Sequence, residues 1–176
     1  MSEHHAAELG RVVEQLAAAE DPLTSEALGQ FTEHLARAFR VKTDEVAILA
    51  LTGQGRSLRF IVPEKLRNVG TIPMSSMHSV AVRTARENRA EILNNFNTTR
   101  HLSVFEGVPL GRSGESIQKM MSVPVTSGQD IVGVVQISRK GLSPEDAGPD
   151  FTPKELRELK YLSGVLSRFV QLFKFQ

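Results

Sequence analysis

Two neighbouring strand-like segments in the second half of the chain constrain the fold more than any other feature. In residues 117–125 the apolar side chains occupy one set of alternate positions and the polar side chains the other, which is typical of a half-buried strand. Residues 131–137 are rich in β-branched side chains, and the segment 126–130 between them has the composition of a hairpin turn. The two strands are therefore predicted to be antiparallel neighbours in the middle of one sheet. The apolar set of the first strand is Ile117, Met121, Val123 and Val125.

Two residues within this hairpin predict its surroundings. Pro124 has no N–H to donate to a neighbouring strand, so that side of it must face a sheet edge or a bulge. Gly133, in the second strand, predicts the close approach of another backbone or of a helix. Neither residue argues against the hairpin.

The overall composition excludes several classes of protein. The chain has 176 residues, a length typical of one domain, and 21 basic against 20 acidic residues give a formal charge of +1. This charge favours neither nucleic acid nor an anionic membrane surface as a partner. The chain has no cysteine, which excludes disulfides, thiolate metal sites and a cysteine nucleophile. No apolar run reaches the roughly 20 residues of a membrane span, and the charged N-terminus lacks a signal-peptide core, so we expect a cytoplasmic protein.

Two amphipathic helices are predicted before the first strand. The first covers about residues 3–20 and ends at Asp21, because the residue before a proline is pushed out of the α region. The second begins after Thr24 or Ser25 as the N-cap, and its apolar face is wide enough to cover a sheet. That face consists of Leu28, Phe31, Leu35 and Phe39.

Further strands and a middle helix complete an α+β pattern. Residues 46–51 and 58–62 predict a second hairpin, and a helix is predicted from Ser75 or Ser76 to about Glu87, with Asn88 as a left-handed C-cap. The expected fold is an antiparallel or mixed sheet of about five to six strands with flanking helices, the N- and C-terminal helices packed together on one face. A short strand is expected over residues 90–93, and residues 68–73 are expected to form either a short strand or irregular chain.

The last helix opens at a complete capping box and carries two apolar faces. Thr152 is the predicted N-cap, Pro153 the first helical residue and Glu155 the residue at N3. The sheet can cover one apolar face, and the N-terminal helix, a second copy of the chain, or both can cover the other. We expect a homodimer built from these terminal helices; the alternative is that both faces are ordinary core. The expected interface residues are Leu9, Val12, Leu16, Leu159, Leu162, Leu166, Phe169 and Phe173.

These elements together resemble the GAF domain family, the small-ligand sensory modules of signalling proteins. The resemblance rests on the central hairpin with its proline and glycine, on the segment 150–156 (DFTPKEL) that opens the last helix, and on the middle helix, turn and strand over 79–93. It covers about residues 24–172. The resemblance implies one domain over 1–176, with an N-terminal helix in 1–22 and a GAF core over 24–172.

Departures from the family pattern narrow the function. Cyclic-nucleotide-binding members carry an Asn-Lys, Phe, Asp-Glu motif, and at the matching places this chain has Arg139-Lys140, Phe151 and Glu155-Leu156. We therefore interpret Lys140 and Glu155 as an ion pair that joins loop to helix, in preference to a part in nucleotide binding. The bilin-binding members and the methionine sulfoxide reductases of this fold depend on cysteine, which the chain lacks.

No pattern of catalytic or metal-binding residues stands out, so no enzyme activity and no cofactor are predicted. The five histidines include no pair at helical ligand spacing, and His4 and His5 lie at the start of the chain. We therefore predict no metal site and no sensitivity to chelators or thiol reagents.

The resemblance implies a ligand site between the sheet, the middle helix and the irregular segment 94–115. A connection of about 20 residues within a compact domain is often a lid or a binding loop. Met77, Phe96 and Phe105 would form the apolar wall of this site; alternatively, the loop fills its own pocket. Arginine and histidine favour an anionic or hydrogen-bond-rich ligand. The candidate ligand-binding residues are His78, Arg83, Asn94, Asn95, Arg100 and His101.

Two functions remain open from the sequence. In the first, the domain is a sensory module that binds a small ligand and signals through protein contacts as a homodimer, with a separate signalling protein as its output. In the second, it binds no ligand and serves as a dimerising interaction module, a scaffold for that output protein. Neither function involves nucleic acid or a membrane.

Overall fold

The computed structural model of the protein describes residues 2–96 and 115–175. Within these two ranges, seven α-helices and six strands follow one another, with short 3-10 turns before α2 and β1. The helices are α1 (Ser2–Ala18), α2 (Glu26–Ala38), α3 (Glu64–Arg67), α4 (Val80–Glu87), α5 (Pro144–Ala147), α6 (Pro153–Tyr161) and α7 (Ser163–Gln171). The strands are β1 (Val46–Thr52), β2 (Ser57–Val62), β3 (Thr71–Pro73), β4 (Glu91–Leu93), β5 (Ser116–Ser127) and β6 (Asp130–Gly141).

The six strands form one antiparallel sheet in the order β3-β2-β1-β6-β5-β4. The β5–β6 hairpin lies in the middle of the sheet, as the sequence predicts, and every neighbouring pair is antiparallel. Pro124 pairs with Val134 of β6, whereas β4 pairs only with residues 120–122 of β5. Among the described strands, the side of β5 that faces away from β6 therefore has no partner at Pro124, which agrees with the edge alternative of the prediction.

Gly133 lies where β1, β6 and α7 approach one another most closely. A Cβ atom on this residue would lie 2.2 Å from the carbonyl oxygen of Leu49 and 3.3 Å from a methyl group of Val170. The predicted close approach thus involves both a strand and a helix.

A register shift at the start of β5 corrects one detail of the predicted hairpin. The pairing with β6 slips between Ile117 and Lys119. Ile117 consequently packs with Met120 against the opposite side of the sheet from Met121 and Val123. The strict alternation predicted over 117–125 holds only after this irregularity, because an extra residue reverses the facing of every side chain before it.

One side of the sheet, called here the helical face, is covered by α1, α2 and α7. Their apolar side chains form a continuous core with those of β1, β5 and β6. Phe31 of α2 stacks on Phe169 of α7 with ring centroids 4.1 Å apart and an interplanar angle of 14°. The terminal helices therefore pack together on one face, as predicted.

The residues predicted for a dimer interface pack within one chain. Leu9, Leu16, Leu159, Leu166 and Phe169 are fully buried within one chain. Leu162 is 2% and Phe173 is 7% exposed, and Val12 is half-buried against the same core. The two apolar seams therefore contact each other and the sheet within one chain, and an interface at these residues stays a prediction. Homodimerisation itself stays a prediction.

Two helix boundaries differ from those predicted. The expected single C-terminal helix is divided at Leu162 into α6 and α7. The middle helix starts later than predicted, because Ser79 and not Ser75 or Ser76 is its N-cap; the Ser79 hydroxyl accepts a hydrogen bond from Val82 N–H. At the other end, Asn88 has φ 49° and ψ 49°, the predicted left-handed cap.

Among the described residues, none of the helices combines the length and the apolar character that crossing a membrane requires.

Candidate functional site

The other side of the sheet, called here the α4 face, is covered by α4 and divides into two apolar patches. The larger patch lies over β1 and β2 and includes Leu49, Phe60, Ala81 and Val134. The smaller patch consists of Val80, Phe96 and Met120, with Ile117 and Leu93 packed against it. These residues reach this face because their neighbours along each strand, such as Met121 and Val135, point to the helical face.

A row of buried polar side chains crosses the α4 face. Ser122 and Gln136 stand opposite each other in the β5–β6 ladder, and Thr84 projects from α4. The Ser122 hydroxyl oxygen lies 2.7 Å from that of Thr84 and accepts a hydrogen bond of 3.2 Å from the Gln136 amide. All three are at most 3% exposed. We call Thr84, Ser122 and Gln136 the polar row.

The polar row is internally satisfied in this structure. Thr84 also lies 2.9 Å from the Val80 carbonyl, to which its hydroxyl donates. Because the single hydroxyl hydrogen of Thr84 goes to Val80, the Ser122 hydroxyl donates to Thr84 and accepts from Gln136. Such a row can donate to or accept from a third group without carrying a formal charge.

A charged cluster lies at the end of β6. Glu45 is buried and accepts hydrogen bonds from the backbone N–H groups of Lys42 and Lys140. The Lys140 ammonium group donates to the Asp44 carbonyl at 2.9 Å. Burial lowers the pKa of Lys140, and the carboxylates of Asp44, Glu45 and Glu115 oppose that change.

The predicted ion pair between Lys140 and Glu155 is wrong, because Arg139 takes that place. The Arg139 guanidinium lies 3.3 Å from the Glu155 carboxylate and 4.1 Å from the centre of the Phe151 ring. It also donates to the carbonyls of Phe39 and Pro149. Arg139, one residue before Lys140, thus faces α6, while Lys140 faces the turn before β1.

Four of the predicted ligand-binding residues lie in the part of the chain that the structure describes, and Arg83 and Asn94 among them are engaged in contacts within the chain. Both Nε and Nη2 of Arg83 donate to the same oxygen of Glu91, at 3.0 and 2.8 Å, so its charge is paired. Asn94 accepts from the Phe151 N–H at 2.9 Å and donates to the Phe151 carbonyl at 3.1 Å, an arrangement we call the Asn94 clamp. His78 and Asn95 are exposed. Arg100 and His101 lie outside the described residues.

The predicted apolar wall is also divided. Phe96 is fully buried in the smaller patch, in keeping with the prediction, whereas Met77 is 75% exposed. Phe105 lies outside the described residues. Phe96 therefore fills space on the α4 face beside Val80 and Met120.

The polar row was not predicted, although the sequence contains a signal for it. Ser122 and Gln136 occur at the polar parity of strands whose other parity is strongly apolar. Polar side chains at every second position of a strand normally predict a side that faces solvent. Only the position of α4 over the strands shows that Ser122 and Gln136 are buried. The two described clefts, of about 680 and 780 Å³, are lined by none of the three residues.

Comparison with known proteins decides the family. The family model of the GAF domain matches residues 24–168, which is most of the chain. The chain belongs to the GAF domain family. GAF domains are in general sensory or regulatory domains. A search of curated proteins finds no match.

Solved structures show the same GAF fold at low sequence identity. The GAF domain of a phosphoenolpyruvate-protein phosphotransferase from Acinetobacter is 15% identical, with a TM-score of 0.65 over 97% of this chain and 95% of that one. Residues 122 to 287 of a methyl-accepting chemotaxis protein are 14% identical, with a TM-score of 0.65 over 92% and 96%. A free methionine-R-sulfoxide reductase from Neisseria meningitidis, solved with its substrate, is 15% identical, with a TM-score of 0.57 over 95% and 90%.

Proposed function

We propose that this protein is a regulatory GAF domain that holds a small hydrogen-bonding ligand on the α4 face of its sheet. The polar row carries the proposal. A buried hydrogen bond contributes only about 0.5–1.5 kcal/mol net, so an amide and two hydroxyls add little stability to a core that apolar side chains could fill. Ligand sites, by contrast, are mostly apolar with a few converging polar groups.

The charges around the polar row favour a neutral ligand. Thr84, Ser122 and Gln136 offer donors and acceptors without a formal charge, and the nearby cation of Arg83 is paired with Glu91. Of the two ligand classes expected from the sequence, the hydrogen-bond-rich class fits this environment and the anionic class does not. The two apolar patches would contact the body of the ligand, and Phe96 would have to move aside.

The Asn94 clamp supplies a route from this site to the rest of the molecule. Asn94 follows β4 and holds the backbone of Phe151, while the Phe151 ring lies under Arg139, which is bonded to Glu155 of α6. A ligand that displaced Phe96 would pull on Asn94 two residues away. The response would pass through α6 to a homodimer contact or to a separate signalling protein. We propose no catalytic step.

A ligand-free interaction module is the second candidate function, and Phe96 favours it. Phe96 is fully buried where a ligand would lie, and both Arg83 and Asn94 are engaged in contacts within the chain. In this case the polar row would only orient α4 on the sheet, and the domain would act as a scaffold for its output protein.

A thermal-shift screen of metabolites and nucleotides separates the two functions. Three chains are compared: the native protein, Gln136→Leu in the polar row, and Gln30→Leu on the exposed side of α2 as the matched control. The ligand proposal predicts a compound that raises the unfolding midpoint of the native chain and of Gln30→Leu, and not that of Gln136→Leu. A screen in which every active compound shifts all three chains equally, or none shifts any, supports the interaction module.

A further inference from the structure

Three histidines meet where α1 lies against α2, far from the α4 face. Nδ1 of His5 is 3.4 Å from Nε2 of His34, although 29 positions separate the two residues. Their ring centroids are 5.5 Å apart with an interplanar angle of 71°. The ring of His4 lies edge-on to that of His5 with a centroid distance of 5.8 Å. Both His5 and His34 are half-buried.

The distance between the two nitrogens equals the spacing of two ligands on one metal ion. Zn²⁺ binds imidazole nitrogen at about 2.0–2.1 Å, and a tetrahedral angle between two such bonds places the nitrogens about 3.3–3.4 Å apart. The same contact also has the geometry of a long hydrogen bond between the two rings, whereas the heavy atoms of such bonds usually lie about 2.7–3.2 Å apart. We propose that His5 and His34 form a binding site for a divalent transition-metal ion, with Zn²⁺ as its representative, that links α1 to α2.

The remaining coordination positions define the class of site. Among the described residues there is no group of three or more histidine, cysteine or acidic side chains that could hold a metal. The ion would therefore keep water in its other positions, with Glu158 of α6 close enough for its charge to act on His5. Imidazole ligands suit Zn²⁺, Cu²⁺ and Ni²⁺ better than Mg²⁺ or Ca²⁺. Two protein ligands give a weaker and more reversible site than the four of a structural zinc centre.

Occupancy of this site would control how firmly α1 is held. α1 precedes the part of the chain that the family model matches, and it is fastened to α2 and α7 mainly by apolar contacts of Leu9 and Leu16. A metal ion bound near the first turn of α1 would add a coordinate link between α1 and α2 at the N-terminal end of this apolar contact. The sequence predicts no metal site, because only the spacing of histidines within single helices was considered, whereas His5 and His34 lie on different helices.

The experiment is a Zn²⁺ titration of the full chain after treatment with a chelator. Isothermal titration calorimetry gives the affinity, and thermal unfolding gives the stabilisation, for the native protein, His34→Gln and His78→Gln. His78 is exposed in the segment before α4 and serves as the matched control. The native chain and His78→Gln should bind one ion, and their unfolding midpoint should rise by roughly 5 °C or more at a Zn²⁺ concentration one hundred times the dissociation constant. His34→Gln should lose both effects.

Imidazole ¹⁵N spectra of the native chain provide a readout that does not depend on the variant folding. Zn²⁺ should shift Nδ1 of His5 and Nε2 of His34 together and leave His78 unchanged. Equal affinity in the His34→Gln variant, shifts confined to His4 and His5, or no saturable binding at millimolar Zn²⁺ would each overturn the proposal.

Discussion

Gly133 shows how one residue sets the distance between two strands and a helix. Any side chain at this position would meet the Leu49 carbonyl, which is backbone and cannot rotate away. The glycine therefore permits β1 and α7 to approach β6 together. A side chain at position 133 should therefore strain the centre of the sheet and not merely its edge.

Replacing Gly133 by alanine should destabilise the fold by about 3 kcal/mol or more, at the upper end of the cost of overpacking. Gly29→Ala is the control, because a Cβ atom there meets nothing within 4 Å. In the interior of α2 that change should stabilise by about 0.5–1 kcal/mol. Urea unfolding of the two variants measures both effects, and a Gly133→Ala chain as stable as the native protein would refute the steric argument.

Single residues also mark the limit of prediction from sequence. Gly133, Pro124 and Asn88 were predictable because their backbone requirements are local. The pairing of Glu155 with Arg139 and not with Lys140 was not predictable, because it depends on the direction in which neighbouring side chains leave β6. The pattern of charges in the sequence cannot show which of two adjacent residues faces α6, because the twist and register of the strand determine this.

At the scale of elements, α1 is joined to α2 partly through a pH-sensitive contact. Burial lowers the pKa of His5 from its ordinary 6.5, with a further contribution from the positive charges of His4 and the N-terminal amine; Glu158 opposes the change. Burial likewise lowers the pKa of His34, followed by the effects of His5 and Arg37. The folded chain therefore binds fewer protons than the unfolded chain in the range just below pH 6.5.

The stability that these two neutral rings contribute should be present above pH 6.5 and should be lost as the pH falls through their lowered values. Thermal unfolding of metal-free protein between about pH 8 and pH 5 measures this change. Acid also protonates carboxylates, so the readout is the difference between the native chain and His34→Gln. The variant should show a flatter dependence; identical curves would show that the pair contributes nothing.

The Asn94 clamp makes a second prediction at this scale. Asn94→Ala removes two hydrogen bonds to the Phe151 backbone and should cost about 1–3 kcal/mol, since it leaves buried backbone groups unpaired. Asn94→Asp keeps the acceptor for Phe151 N–H but turns a carboxylate oxygen, which cannot donate, towards the Phe151 carbonyl, so it should cost more than the loss of one hydrogen bond. Amide hydrogen exchange at the start of α6 should be faster in both variants than in the native chain. Unchanged exchange there would show that the Asn94 clamp does not stabilise the start of α6.

Most element boundaries follow from local chemistry. Ser25 and Thr152 are N-caps as predicted, and the capping box of Thr152 with Glu155 is complete. The break between α6 and α7 has no proline or cap signal before it; Leu162 has φ −81° and ψ 3°. We infer that the break depends on how α6 and α7 pack on the rest of the chain. The apolar periodicity of the segment carries no information about this packing and so does not predict the break.

At the scale of the whole molecule, the sheet separates an apolar helical face from an α4 face that carries the polar row. The fold class and the order of strands along the chain were predictable because hairpins pair neighbouring segments. The candidate site was not, because it joins residues of α4, β5 and β6 whose side chains look like solvent-facing positions in the sequence. Likewise, the seams assigned to a dimer are indistinguishable in sequence from seams that cover each other within one chain.

Replacing Phe169 by alanine tests that internal packing. Because Phe169 is fully buried and stacked on Phe31, the change should cost about 3–5 kcal/mol of folding free energy. Tyr161→Ala, at a site 55% exposed on α6, should change stability by less than about 0.5 kcal/mol. A stable Phe169→Ala chain that differs from the native protein only in oligomeric state would instead assign Phe169 to an interface between copies.

Native mass spectrometry of protein purified without refolding tests the central claim, that the α4 face holds a small ligand. It reports the mass of any retained molecule and the number of chains in one spectrum. The account predicts a small neutral molecule, one per chain, on the native protein and on Gln30→Leu, and its loss from Gln136→Leu. A native chain free of any such molecule, in protein that also gains no stability from any compound in the screen, would contradict the claim and leave the interaction module.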